Sequence, residues 1–462
     1  MISVPPPPAP AVVAVAGVAS VAAAVVAAAG VAADDPQVTA GRSGGAGTLP
    51  APEEHVRRTV LDNGLRVVTD AQPAARSASV SVWVGVGGRD EPDELAGASH
   101  VLEHLLFKGT AARDARSIAL DLDAVGGDMN AFTANEHTAF YARVPAGAAG
   151  LATELLLDVV AEPALRPEEL EAEREVILEE LAAAEDDPDD VAVTHLFEGL
   201  FPGHPLGREV LGTRESIISL GREDVAAFLE RWYCPANLVV AAAGHVDHDE
   251  LVREVSARLG GRAPGAAPLR SAPGDEVVVE LADHRPVETT HLALGWRTPP
   301  AAHPGRFALA VANHLLGGGP SSRLFQEVRE QRGLTYGISS SVSAHVDAGA
   351  LTVHVATAPR KVDEVQAVVD AVIEDLAGNG ITGEELARAK GSLRGGLLLG
   401  LEDTASRMTR LGIGETMRGG VTPVDEHLAR LDAVTVEDVH AALRDVLGRP
   451  RVRSVVTPDG RD

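Results

Sequence analysis

From residue 56 onward the apolar positions switch between a period of two and a period between three and four, the pattern of an α+β chain. Residues 59–68 alternate around Asn63-Gly64 and predict a β-hairpin with an Asn-Gly turn. Residues 77–86 alternate as a strand. A helix then carries the apolar-rich segment at 100–107, and a second helix ends at Gly126-Gly127. Residues 130–144 read as strand, helices begin near Ala148 and at Pro167, and a strand over 238–243 closes this part of the chain. Pro167, followed by Glu168 and Glu169, marks a helix start, and that helix runs to 185.

The pattern then repeats. Glu168-Glu-Leu-Glu-Ala-Glu-Arg174 resembles Glu384-Glu-Leu-Ala-Arg-Ala-Lys390, and Arg222-Glu-Asp-Val-Ala-Ala-Phe-Leu229 resembles Val436-Glu-Asp-Val-His-Ala-Ala-Leu443. Both pairs sit about 215 residues apart, which predicts a duplication. The expected architecture is two homologous α/β halves, each an antiparallel-rich sheet packed with helices, facing each other across a cleft. The expected boundaries are a leader and linker at 1–54, a first half at 55–261, a Pro/Gly/Ala-rich linker at 262–274 and a second half at 275–462.

Composition refines this picture. A length of 462 residues suits two or more domains, and scarce aromatics leave Ala, Val and Leu to build the cores. A net charge of −27 argues against a nucleic-acid partner and suits solubility and basic peptides. The single cysteine, Cys234, excludes an internal disulfide and fits a reducing, cytoplasmic compartment. Residues 9–33 are almost wholly Ala, Val, Gly and Ser, long enough to span a bilayer, but no Lys or Arg precedes them. They read first as a leader or a mis-assigned start, with a membrane anchor or export segment as the alternative.

The chemistry is concentrated in His100-Val-Leu-Glu103-His104. Two histidines four apart share one helix face, and a carboxylate stands beside them. Neutral imidazoles are good Zn²⁺ ligands, and a nearby Glu can take a proton from a water that the metal activates. Leu102, Leu105, Leu106 and Phe107 crowd the trio, so these polar groups are buried and need partners. A zinc site needs a third protein ligand. Glu173 and Glu180 are seven apart on the 167–185 helix, two turns on one face, with Val176 and Ile177 close to it.

These pieces together resemble the pitrilysin/insulinase-like zinc peptidases (M16), most closely the short, processing-peptidase-like branch. That family carries H-x-x-E-H and a ligand Glu about 76 residues later, the separation of His104 and Glu180. A second family Glu lies seven residues before the ligand, where Glu173 stands. Gly126-Gly127-Asp-Met-Asn130-Ala-Phe-Thr133, the Leu315-Leu-Gly-Gly-Gly-Pro-Ser-Ser-Arg323-Leu-Phe run, and Arg329 with Tyr336 also fit. The resemblance implies a zinc metalloendopeptidase. His100, His104 and Glu180 hold the metal, Glu103 is the general base, and Glu173 sits behind the ligands. It implies that Arg329 and Tyr336 reach the substrate from the second half, and that Asn130, Ala131 and Phe132 lie on an edge strand to which peptides add. Relatives of this length work as dimers, of like chains or with an inactive partner. Some are non-catalytic assembly subunits, which typically lose motif residues that this chain keeps. At the repeat offset Glu173 falls on Ala389, Glu180 on Gly396, and His100 and His104 near Ala312 and Leu316. The second half should therefore supply no metal ligand, and the chain should hold one Zn²⁺.

Overall fold

A computed structural model describes residues 55–459. Residues 1–54, and with them the expected leader at 9–33, lie outside the described residues. Among those described, no helix is long and apolar enough to cross a membrane.

The first half runs β1 (Val56–Val60), β2 (Arg66–Ala71), β3 (Ser77–Val84), α1 (Ala98–Leu106), α2 (Ala115–Asp123), β4 (Asp128–Thr133), β5 (Thr138–Pro145) and α3 (Ala149–Ala161). It continues with α4 (Pro167–Asp186), α5 (Pro188–Leu200), α6 (Arg214–Ser219), α7 (Arg222–Trp232), β6 (Leu238–Gly244) and α8 (His248–Leu259). The second half runs β7 (Val279–Arg285), β8 (Thr290–Thr298), α9 (Arg306–Leu316), β9 (Thr335–Ala344), β10 (Gly349–Thr357) and α10 (Val362–Asn379). It ends with α11 (Gly383–Gly400), α12 (Thr404–Arg418), α13 (Val424–Ala433), α14 (Val436–Leu447) and β11 (Val452–Pro458). The expected strand over 130–144 is a hairpin, β4 and β5. Ala134 N donates to His137 O and turns the chain between them.

Strand order confirms the duplication. The first sheet is β1-β2-β6-β3-β5-β4 and the second is β7-β11-β8-β10-β9. Without β1 the two orders are the same, strand for strand. Each sheet also contains one parallel pair at the equivalent place, β2 with β6 and β7 with β11. The matched helix segments carry the matched sequences: 168–174 lies in α4 and 384–390 in α11, while 222–229 lies in α7 and 436–443 in α14.

One face of each sheet is covered by helices of its own half. Leu102, Leu106, Leu155 and Val159 pack on Val80, Val82 and Phe140 in the first half. Val311, Leu315, Val369 and Leu443 pack on Leu294, Val353 and Val355 in the second. The other face is covered by a helix from the opposite half, an exchange that the sequence reading did not anticipate. Met408 and Leu411 of α12 bury Trp83, Val239 and Ala241 of the first sheet. Val191, Leu196 and Leu200 of α5 bury Ala293, Ala350 and Val456 of the second. Polar pairs reinforce the crossing. Arg407 on α12 meets Asp70 at 2.6 Å in a buried ion pair, and Arg58 meets Glu415 at 2.9 Å.

Gly412 sets the approach of α12. A Cβ there would lie 2.0 Å from Trp83 Nε1, so helix and indole touch through a missing side chain. Gly391 on α11 has open space around its Cβ position. In an unconstrained helix Gly→Ala stabilises by about 1 kcal/mol. Gly391→Ala should therefore be neutral or stabilising. Gly412→Ala should reverse the sign, costing about 1–3 kcal/mol through overpacking against Trp83. Urea unfolding of the two variants checks this.

Candidate metal centre

Helix α1 begins at an anchored point. Gly97 has φ +90°, and a Cβ on it would collide with Ile217 and with the Leu211 carbonyl. The orphan amides of the first turn are satisfied from a distance: Gly97 N and Ser99 N each donate to the Glu91 carboxylate at 2.7 Å. Burial lifts the Glu91 carboxyl to about 7, against the pull of these hydrogen bonds. Sequence reasoning missed Glu91, which lies outside the helix it caps.

The spacing of four puts the His100 and His104 rings edge to face, with centroids 4.6 Å apart. Helix α4 lies alongside, with Leu170, Glu173, Ile177 and Leu181 on its buried face. Val176, expected near that face, is 41% exposed and points away from it. Glu180 Oε2 lies 3.6 Å from His100 Nε2 and 3.5 Å from His104 Nε2. Donor atoms about 2.0–2.2 Å from a tetrahedral zinc stand roughly 3.3–3.6 Å apart. The three residues fit that ion, with donors that all lie within 4.8 Å of one another. His104 Nε2 adds an independent sign. It is buried with no hydrogen-bond partner among the described residues.

Behind the ligands, His104 Nδ1 pairs with Glu173 Oε2 at 2.9 Å, which turns Nε2 towards Glu180. Lys108 Nζ holds the other oxygen of Glu173 at 2.6 Å. Lys108 was not foreseen, although it lies four residues after His104. Glu103, in the same buried turn, accepts a hydrogen bond from Thr133 Oγ1 at 2.6 Å. Burial pushes the His100 imidazole down to about 3, helped by neighbouring His104, so His100 stays neutral. Burial also pulls on His104, but the Glu173 and Glu180 carboxylates outweigh it and lift His104 to about 9. Burial raises Glu103 to about 7 despite Thr133. The pocket around His104 is thus strongly negative, an environment that favours a cation.

Strand β4 is the outermost strand of the described first sheet, hydrogen-bonded to β5 alone. The side chains of Ala131 and Phe132 serve packing. Ala131 joins the main core, and Phe132 stacks edge-on to Trp83 at 5.7 Å. Asn130 Oδ1 accepts from Ala131 N. What β4 can offer a ligand is its backbone edge, fastened to the motif helix by Thr133 and Glu103. In the second half, Arg329 lies in a π-helical turn and Tyr336 on β9, the corresponding edge strand. The Arg329 guanidinium stands over the Phe325 and Tyr336 rings at 4.6 and 5.2 Å, and Tyr336 is 90% exposed. Their contacts are with each other, Phe325 and Glu330, within the second half.

Four histidines expected in loops or on the surface divide evenly. His245 is exposed, and His204 is half-buried against the Ser271 carbonyl. His137 lies in the β4–β5 turn, as expected, but is buried there, and His248 is buried at the start of α8, contrary to expectation. His137 is wedged beside Trp83 and Phe132, and burial drives it down to about 4. His248 bridges the hydroxyls of Thr59 and Thr69. At the duplicated positions the second half is apolar, with Ala312, Leu316 and Ala389 buried. Elsewhere in this half two histidines, His291 and His354, meet Asp189 of α5.

Comparison with known proteins agrees with this architecture. Residues 66–214 match the family described as Insulinase (Peptidase family M16), and residues 219–393 match the Peptidase M16 inactive domain. An uncharacterized zinc protease of Mycobacterium tuberculosis is 46% identical over 417 residues, covering 89% of this chain and 95% of the relative. An uncharacterized zinc protease of Bacillus subtilis is 34% identical over 406 residues, covering 88% and 99%. The fold is shared with a protease from Helicobacter pylori, at a TM-score of 0.83 and 21% identity over 88% of this chain and all of that one. It is shared also with a putative M16-like peptidase from Alicyclobacillus acidocaldarius, at a TM-score of 0.78 and 23% identity over 89% and 100%. By identity and coverage, the chain belongs to peptidase family M16.

Proposed function

We propose that this chain is a zinc-dependent endopeptidase that hydrolyses peptides or unfolded protein segments. The observation that carries the reading is the convergence of His100 Nε2 and His104 Nε2, from the buried turn of α1 that also carries Glu103, with Glu180 Oε2 from α4. When bound, zinc supplies Lewis-acid polarisation of the scissile carbonyl and acidifies a water. Glu103 takes the proton of the attacking water and returns it to the leaving amine. Glu173 and Lys108 keep His104 in the tautomer and orientation that leave Nε2 free to bind. The open edge of β4 pairs with the substrate main chain, which gives loose sequence preference. Arg329 and Tyr336 act on the substrate from the second half, where the exposed phenol is a donor for a developing oxyanion.

Glu103→Gln should keep its zinc and lose turnover by about 10²–10⁴-fold, the usual worth of a general base. Glu180→Ala should lose the zinc. Elemental analysis and a peptide-library digest of both variants measure this. A zinc-loaded, folded wild-type chain that cleaves no peptide would instead identify a non-catalytic assembly subunit.

Glu173→Gln should cost about 10–100-fold in zinc affinity or activity, because it frees the His104 ring without removing a ligand. Competition against a zinc-binding dye measures the affinity. Normal affinity with normal activity would reduce Glu173 to a salt-bridge partner of Lys108.

Tyr336→Phe should lower kcat more than it raises KM, since an oxyanion contact is complete only in the transition state. Zinc content should not change. Steady-state kinetics on a quenched fluorescent peptide decide the matter, and unchanged kcat would return Tyr336 to a surface role.

A further inference from the structure

The face of the second sheet that α5 covers carries two histidines, His291 on β8 and His354 on β10. The strands pair antiparallel with Ala293 opposite His354 and His291 opposite Ala356. The two histidines are therefore diagonal neighbours on one face, within reach of a common partner. Asp189, on the first turn of α5, supplies that partner from the other half. Its Oδ1 hydrogen-bonds His291 Nδ1 and lies 3.1 Å from His354 Nε2. All three donor atoms lie within 4.8 Å of one another. Thr289 Oγ1, 2.7 Å from His291 Nε2, orients that ring so that Nδ1 faces the carboxylate. His354 Nε2 is a buried atom whose near polar neighbour is the Asp189 carboxylate, and His291 is only 7% exposed. The Asp189 side chain is about half exposed and leaves a route from solvent.

Two imidazole nitrogens are turned on one carboxylate oxygen, the arrangement either of two N–H donors or of three ligands around one cation. Two His and one Asp are a donor set for zinc, cobalt and nickel, with an oriented ring, a second-layer hydroxyl and an entry path. We propose that Asp189, His291 and His354 form a second site for a divalent transition-metal ion, one that fastens α5 to the second sheet. The site is unrelated to the duplication, because its ligands come from both halves and from none of the positions equivalent to His100, His104 or Glu180. Its place in the chain gives it a consequence. Only Asp187 separates α5 from α4, so an ion here steadies the end of the helix that carries Glu180.

The test uses the full chain, stripped with a chelator, dialysed and titrated with Co²⁺ and with Zn²⁺. Metal content, cobalt absorption and thermal unfolding are the readouts. Wild type should take about two equivalents, and His354→Gln or His291→Gln about one. His104→Ala should also keep about one, now at the second site. Its melting temperature should rise on adding Zn²⁺, a rise that is lost in the His104→Ala/His354→Gln double variant. If His354→Gln folds poorly, His291→Gln and Asp189→Asn make the same comparison. A single wild-type equivalent that His104→Ala abolishes, a second equivalent that survives these substitutions, or a His104→Ala chain that takes no metal each overturns the proposal. Failure of the first site would look different: the His104→Ala change would then leave metal content as it was.

Discussion

Helix α12 lies on a sheet that its own half did not make, and α5 does the same in return. Each sheet has two apolar faces, and its own helices cover only one. Trp83, Val239 and Ala241 would otherwise face water, as would Ala293, Ala350 and Val456. Burying a Val or larger side chain is worth about 1.5–3 kcal/mol and an Ala less, so two uncovered faces would take much of the stability of an ordinary domain. The exchange makes the halves one cooperative unit despite the linker between them. It also ties the metal centre to both. Glu180 sits near the end of α4, and the chain passes through one residue into the helix that the second sheet holds. The position of Glu180 thus depends on packing in the half that has Gly396 at the equivalent place.

The centre itself is an electrostatic problem with a single economical solution. His100, Glu103, His104 and Glu173 are each less than a tenth exposed, and Glu180 is close by. Desolvation opposes every charge in this group, yet three carboxylates converge on one imidazole. Lys108 neutralises Glu173 from outside, and Thr133 steadies Glu103 from the edge strand. The remaining negative potential is focused where His100 Nε2, His104 Nε2 and Glu180 Oε2 meet. A divalent cation at that point would relieve carboxylates and imidazoles together, which a proton on His104 does only in part.

Much of this was legible along the chain because it rests on local spacing. The i, i+4 histidines, Pro167 at a helix start and the seven-residue interval from Glu173 to Glu180 each predict a face, and the faces are where they were expected. The repeat predicted the topology shared by the two sheets. What escaped was set by contact across long separations. Periodicity shows that a strand has two apolar faces but not what covers the second, so the helix exchange was invisible. Glu91 caps α1 from the loop that precedes it, and Asp189 lies about a hundred residues before His291. His137 and His248 looked like polar loop residues because the aromatic pocket and the paired hydroxyls that accept them come from other strands. Val176 failed for a simpler reason: one step from Ile177 is about 100° around a helix, enough to carry it from the buried face to solvent.

The duplication finally explains why chemistry and recognition separate. Both halves end in an edge strand, β4 in the first sheet and β9 in the second. In the first half that strand is linked through Thr133 to Glu103, so its geometry is bound to the candidate metal centre. In the second half the equivalent helix α9 carries Ala312 and Leu316 in place of the histidines, and it holds β9 through Asn313, which accepts from Ser340 Oγ at 2.7 Å, with no carboxylate in the pair. Its edge has instead acquired an exposed tyrosine stacked under an arginine, groups suited to a polar transition state but unable to make one. A copy freed from holding metal can diverge towards substrate, provided it still covers its twin's sheet. The cover rests on Met408, Leu411, the small surface at Gly412 and Arg407, all on α12 and away from β9.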